Sequence, residues 1–274
     1  MERETKVELE LKNFYNESGW SHNSSGHSTD ATLWEDLRLA AKNYVSNCRL
    51  RICEHLPQQG DRILDAASGP IQYPEYLNFS KNFKKRVCVD ISEKALEQAK
   101  LKLGEHGDYV CTSLLELPFS DNNFDASLSL HTIYHIDKEQ QGRAVRELIR
   151  VTKIGQPLII IYANPDRFFS RLKRVFKKPQ EATEGIIYYY AHPLSWWTQF
   201  SDTCELKIFP WRALTASESK KLIPNNLIGK WLFTFVQQME NLFPDTITRF
   251  GAYPMIILTK KGAWDNEYSI GTKR

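Results

Sequence analysis

Two acids, each closing an apolar run, stand about one βα unit apart. The first ends Arg62-Ile63-Leu64-Asp65 and opens the small-residue turn Ala66-Ala67-Ser68-Gly69-Pro70; the second ends Arg86-Val87-Cys88-Val89-Asp90 ahead of Ile91-Ser92. That layout belongs to the strand ends of an open α/β sheet that binds a nucleoside-like ligand. Small residues let the backbone approach the ligand, and a carboxylate at the tip of the next strand can accept hydrogen bonds from both hydroxyls of a ribose. Asp90 is the ribose candidate. A second reactive group is Leu130-His131-Thr132-Ile133-Tyr134-His135. Histidine is the default proton acceptor near neutrality. His131, nearest the strand tip, is the first candidate base, with His135 and Tyr134 next. His192, ahead of Trp196 and Trp197, is a third histidine from the other side of the pocket. His131 and His135 read equally as side chains packed into their loop, and for His192 packing is the stronger reading.

The elements that must position these residues alternate. Strands are expected at the two acidic runs, from Asp108 to Thr112, from Phe124 to Leu130 and from Gln156 to Tyr162, with helices from Ser92 through Lys102 and from Lys138 to Val151. A helix is expected from about Thr32 to His55. Beyond residue 163 the alternation fails. A basic helix spans Arg167 to Lys178, Ile186 to Tyr190 read as extended, and Ser195 reads as the cap of a helix carrying Trp196 and Trp197. Glu205 to Pro210 and Tyr253 to Lys260 read as a last pair of strands.

The order of motifs resembles the class I S-adenosylmethionine-dependent methyltransferases, of the small-molecule type. Their first strand ends in Asp-x-Gly-x-Gly-x-Gly, whose three glycine positions fall here on Ala67, Gly69 and Ile71. Leu117-Pro118-Phe119-Ser120-Asp121-Asn122-Asn123-Phe124-Asp125 is similar to the segment before their fourth strand, and Glu147-Leu148-Ile149-Arg150-Val151-Thr152-Lys153-Ile154-Gly155 to a later helix end. The matches cover roughly residues 60 to 163. A pyrophosphate needs glycines at a helix N-terminus, so the loss of two of them disfavours a dinucleotide. The resemblance implies a Rossmann-like α/β fold, a seven-stranded sheet with helices on both faces and a helical cover from the N-terminus and a C-terminal insertion. It implies S-adenosyl-L-methionine held by Asp65, Ala66, Ala67, Ser68, Gly69, Pro70, Asp90, Ile91, Ser113, Leu114 and Leu130. Ser113 stands where the family often has an adenine-binding Asp. Activity is expected on an oxygen or nitrogen of a small-molecule acceptor. A non-catalytic methyltransferase-like subunit and an RNA methyltransferase are the alternatives.

Aromatic residues Tyr15, Trp20, Tyr73, Tyr189, Trp196 and Trp197 are the candidate substrate contacts. Tyr15 and Trp20 flank a polar loop from Ser21 to Asp30, which reads as a lid or as a terminus pinned by two rings. Residues 1–60 are expected to form a helical segment and lid, 61–163 the cofactor-binding core, and 164–274 the part that completes the sheet. An insertion at about 211–251 serves as substrate cover or as a homodimer contact.

Composition adds exclusions. A charged fraction of 25% and a net charge of +3 over 274 residues are too mild to demand nucleic acid. The five cysteines lack zinc-site spacing, no acid cluster suggests a metal, and their scatter suits a reducing compartment. A charged N-terminus and the lack of any long apolar run lead to the expectation of a cytoplasmic protein without a transmembrane segment.

Overall fold

The computed structural model describes residues 5–176 and 187–262. In chain order these form α1 (Lys6–Phe14), α2 (Thr29–Trp34), α3 (Lys42–Leu50), β1 (Gly60–Ala66), β2 (Phe83–Asp90), α4 (Glu93–Leu103), β3 (Gly107–Cys111), β4 (Ala126–Leu130), α5 (Gln141–Val151), β5 (Pro157–Ile161) and α6 (Phe168–Phe176). After these come β6 (Cys204–Arg212), α7 (Ala216–Leu222), α8 (Leu227–Leu242), α9 (Pro244–Phe250) and β7 (Tyr253–Lys260).

The strands make one seven-stranded sheet in the order β3-β2-β1-β4-β5-β7-β6. Among the described strands β7 runs antiparallel to the other six. Strand order reverses between β1 and β4, and a crevice at such a switch point is where an open sheet takes its ligand. The central strands are apolar on both faces because both faces are covered. Leu64, Val87 and Ile160 pack with α5 and Trp197 on one side, whereas Ile63, Leu128, Ile159 and Ile161 pack with Tyr44, Cys48 and Phe233 on the other. Each such side chain contributes about 1.5–3 kcal/mol of burial.

Two of the sequence motifs turn out to grip each other. Arg150 donates to the carbonyls of Phe119 and Leu117 at 2.7 and 3.0 Å, and Glu147 accepts from the Leu117 amide at 3.0 Å. Asp125 accepts from the amides of Asp61 and Arg62 and pairs with Lys153, at the end of β1 opposite the crevice. These residues brace the sheet rather than touch a ligand.

Three expectations are corrected. The helix expected from Thr32 to His55 is broken between Trp34 and Lys42, because Glu35 and Asp36 turn inward to Arg49, Arg212, Arg38 and Ser219. Ser195 does not cap the turn carrying the tryptophans; that short 3-10 stretch, Leu194–Phe200, follows Pro193 and has no side-chain cap. Phe124 lies before β4, joined to Thr152 by a single bridge. Lys177 and Lys178 of the expected basic helix, Ile186 of the expected extended run, and the tail from residue 263 lie outside the described residues. Among the described residues no helix is long and apolar enough to cross a membrane.

Candidate active site

The turn after β1 carries the backbone signature that its sequence disguises. Ala67, Gly69 and Ile71 all have positive φ, at 59°, 56° and 52°. Only Gly69 adopts this region freely; an L side chain there costs about 1–2 kcal/mol. At Ile71 the side chain offsets that cost, since it is buried against Cys88, Leu96 and Ala99 and such burial exceeds the strain. Ala67 has only a methyl to offer. Ala67→Gly is therefore expected to raise stability by roughly 0.5–1 kcal/mol in chemical denaturation, whereas Ile71→Gly should lower it.

Asp90 crosses from β2 to fix this turn. One carboxylate oxygen accepts from the Gly69 amide at 2.9 Å and the other from the Ser92 amide at 2.8 Å. Burial pushes its pKa up to about 6, against the lowering pull of these two amides. Remaining lone pairs stay free to accept from a ligand. Asp65, by contrast, is spent on structure: it forms a buried ion pair with Arg86, which also donates to the Tyr76 carbonyl at 2.5 Å.

The N-terminal segment covers the turn. Trp20, buried, lies so close to Gly69 that an added Cβ there would meet its ring at 3.2 Å. Tyr15 stacks on Trp20 with centroids 4.8 Å apart and donates to Asp30 at 3.3 Å. Asn16 accepts from Ser92 at 2.7 Å, Gln72 donates to Ser28 at 2.6 Å, and Ser113 bonds Glu8 of α1. Glu8 and Asn16 were not singled out by the sequence, since nothing local to them announces a partner so distant in the chain. Burial also raises Asp30 to about 6. Leu114 is buried in the core beneath this cover, while Leu130, Ile91, Ala67 and Ser113 are half-buried; Ala66, Ser68 and Pro70 are buried with the turn.

Beyond β4 the His131 backbone turns through φ 59°. Its Nδ1 lies 2.9 Å from the Tyr134 hydroxyl, and its ring sits 4.7 Å from that of Trp211 and 5.0 Å from that of Tyr253. Burial depresses His131 to about 3 and His135 to about 4. His135 contacts the Tyr188 carbonyl through Nδ1 at 2.7 Å, which makes that nitrogen the protonated one in the neutral ring. Tyr189 packs on Tyr134 at 5.3 Å.

Beside His131 lies an ionic cluster that sequence analysis missed entirely. Glu35 bridges Arg49 at 2.9 Å and Arg212 at 2.7 Å, and Arg49 lies 3.3 Å over the Tyr73 ring. Although burial alone would raise it, the charges of Arg212 and Arg49 hold Glu35 below the usual carboxylate range. The partners are scattered through the chain, so no local spacing could reveal them. His192, Trp196 and Trp197 do not join this group. His192 stacks on Trp196 at 4.5 Å near the Lys138 carbonyl, and Trp197 is enclosed between Tyr162 and Phe200.

Residues 64–160 match the family model described as a methyltransferase domain. This segment is similar to a methyltransferase domain. An uncharacterized protein of Methanocaldococcus jannaschii is 30% identical over 155 residues, covering 55% of this chain and 59% of that protein. A demethylmenaquinone methyltransferase of Corynebacterium urealyticum is 35% identical over 103 residues, covering 37% of this chain and 41% of that one. The chain thus spans less than two thirds of these relatives' length. Among solved structures, the domain and its flanks are similar to geranyl diphosphate C-methyltransferase from Streptomyces coelicolor, with TM-score 0.55, 15% identity, and 93% and 98% of the two chains covered. Another is the [4+2]-cyclase SpnF, with TM-score 0.54, 14% identity and 93% of each chain covered. These likenesses concern architecture. The matched segment contains the β1 turn, Asp90, His131 and His135, whereas the N-terminal cover, Glu35, Arg49 and Arg212 lie outside it.

Proposed function

We propose that the protein is an S-adenosyl-L-methionine-dependent methyltransferase acting on an oxygen or nitrogen of a small-molecule acceptor. The observation that carries this reading is Asp90, a buried carboxylate tied to the Gly69 and Ser92 amides at the switch point of a methyltransferase domain. A small-residue turn at Gly69, a carboxylate with lone pairs to spare and the aromatic cover of Tyr15 and Trp20 over that turn fit a nucleoside with a small apolar-cationic extension. When bound, S-adenosylmethionine supplies a methyl already activated as a sulfonium. The chain's own work is then to position the acceptor and exclude water. The N-terminal cover serves to exclude water, and Tyr134, buried and hydrogen-bonded to His131, lies just beyond the end of β4.

His131 takes a different role from the one its sequence position suggests. A ring whose pKa is depressed to about 3 stays neutral across the physiological range but is a weak base. It orients the Tyr134 hydroxyl and removes a proton only as part of that pair. Turnover should accordingly show no loss on descending through pH 6.5 that is assignable to His131. His131→Ala is expected to lower turnover by roughly 10- to 100-fold, short of the full value of a strong base, with cofactor affinity held within about twofold. A limb near pH 6.5 that disappears in His131→Ala would restore it as the base.

The defining test follows transfer of label from methyl-labelled S-adenosylmethionine to a panel of hydroxyl and amine metabolites, with S-adenosylhomocysteine formation measured in parallel, alongside calorimetry of cofactor binding. The expected result is micromolar binding with acceptor-dependent turnover. No binding by the full chain would defeat the proposal. Because the fold is shared with a protein described as a cyclase, turnover rather than architecture decides the activity.

A further inference from the structure

We propose that the acceptor carries an anionic group with two equivalent oxygens, a carboxylate or a phosphoryl group, bound by Arg212. The inference deepens the methyltransferase reading and rests on it for the word acceptor. Arg212, at the end of β6, is 3% exposed. Its Nη1 donates to Glu35, but Nε and Nη2 have no partner among the described residues. Those two nitrogens are the ones whose N–H bonds lie parallel along one edge of the planar guanidinium, the fork that matches a carboxylate or phosphoryl group bidentately. Buried donors are rarely left unmet, and a charged pair of them still less so.

The surrounding charge points the same way. Arg49 also has an unmet Nε, while one carboxylate, Glu35, serves both guanidinium groups. Glu75 reaches Arg49 only at 3.4 Å. The location suits an acceptor's anchor. Trp211 precedes Arg212 in the chain, Tyr253 is its register partner on β7, and both their rings lie against His131. A neutral amide or ester would satisfy the fork poorly, and a cation would be repelled by it.

The test uses the full chain with S-adenosylhomocysteine present and four probes, acetate, benzoate, inorganic phosphate and methylphosphonate, at constant ionic strength against chloride. Thermal shift and calorimetry are read for the wild type and for Arg212→Lys, which keeps the charge and removes the fork. At least one probe should bind the wild type, at least tenfold more weakly the variant, while acetamide and benzamide do not bind. Response to acetate or benzoate identifies a carboxylate, and response to phosphate or methylphosphonate a phosphoryl group. Equal binding by Arg212→Lys, equal binding of the amides, or no binding of any anion would overturn the proposal. Should the variant fail to fold, the comparison of anions with amides on the wild type still decides. S-adenosylhomocysteine binding without anion binding removes this proposal alone; anion binding without S-adenosylhomocysteine binding removes the methyltransferase reading and leaves the anion site.

Discussion

Glu35→Ala should destabilise the protein by about 3–5 kcal/mol at neutral pH, the range for removing one partner of a buried ion pair. Glu35 is the shared carboxylate of Arg49 and Arg212, all three being buried, so its removal strands Arg212 and leaves Arg49 only its longer contact with Glu75 at 3.4 Å. The loss far exceeds that from breaking an exposed pair such as Lys6 with Glu10, worth about 0–1 kcal/mol. Its pH dependence follows from the depressed pKa of Glu35. A carboxyl lowered on folding stabilises above its unfolded value of about 4.3 and loses that contribution as pH falls through its folded value. Denaturant titrations should therefore show the gap between wild type and Glu35→Ala widest near pH 7 and closing at acid pH. A gap below about 1 kcal/mol at neutral pH would mean that the two arginines find other partners.

The second large effect is expected at Asp90. Asp90→Ala should weaken S-adenosylmethionine binding by roughly 10- to 150-fold, equivalent to the 1.5–3 kcal/mol of hydrogen bonds to a charged group. The substitution also releases the Gly69 and Ser92 amides, so the β1 turn loses its brace together with its ligand contact. The raised pKa of about 6 adds a pH signature. In the ligand-free protein a carboxyl raised on folding favours the folded state below its unfolded value near 4, and that contribution disappears as pH rises through about 6. A ligand that requires the ionised carboxylate must then expel a proton below pH 6. Calorimetry should find binding about tenfold weaker at pH 5 than at pH 7, and Asp90→Asn should remove that dependence apart from what Asp30 contributes. Unchanged affinity in Asp90→Ala would dissociate the cofactor from this crevice.

The parts that the sequence made legible are those written within a short stretch. Asp65, the small-residue turn and Asp90 lie on adjacent strands of one βα unit, and the Leu117–Asp125 and Glu147–Gly155 segments are neighbours in space as well as in order. Apolar runs such as Leu158 to Ile161 announce buried strands by composition alone. The positive φ of Ala67 and Ile71 was hidden by their side chains, although their spacing from Gly69 marked the positions. Glu35 went unnoticed within the helix expected from Thr32 to His55 because its partner Arg212 is 177 residues away. Trp197 read as a pocket aromatic for the converse reason: ring-rich composition does not distinguish a binding wall from the packing that encloses it against Tyr162.

The sheet order also has a consequence for how the chain folds as it is made. β5 pairs on its outer edge with β7, which begins at Tyr253, while β5 ends at Ile161. Until the late strand emerges from the ribosome, the Leu158–Ile161 edge lacks its β7 neighbour, and β6 lacks β7, its only strand partner among the described residues. An unpaired apolar edge is a template for wrong pairing between chains. Nascent chains ending before Tyr253 should therefore need chaperone protection, and a stop codon shortly before β7 should produce aggregates rather than a smaller folded domain.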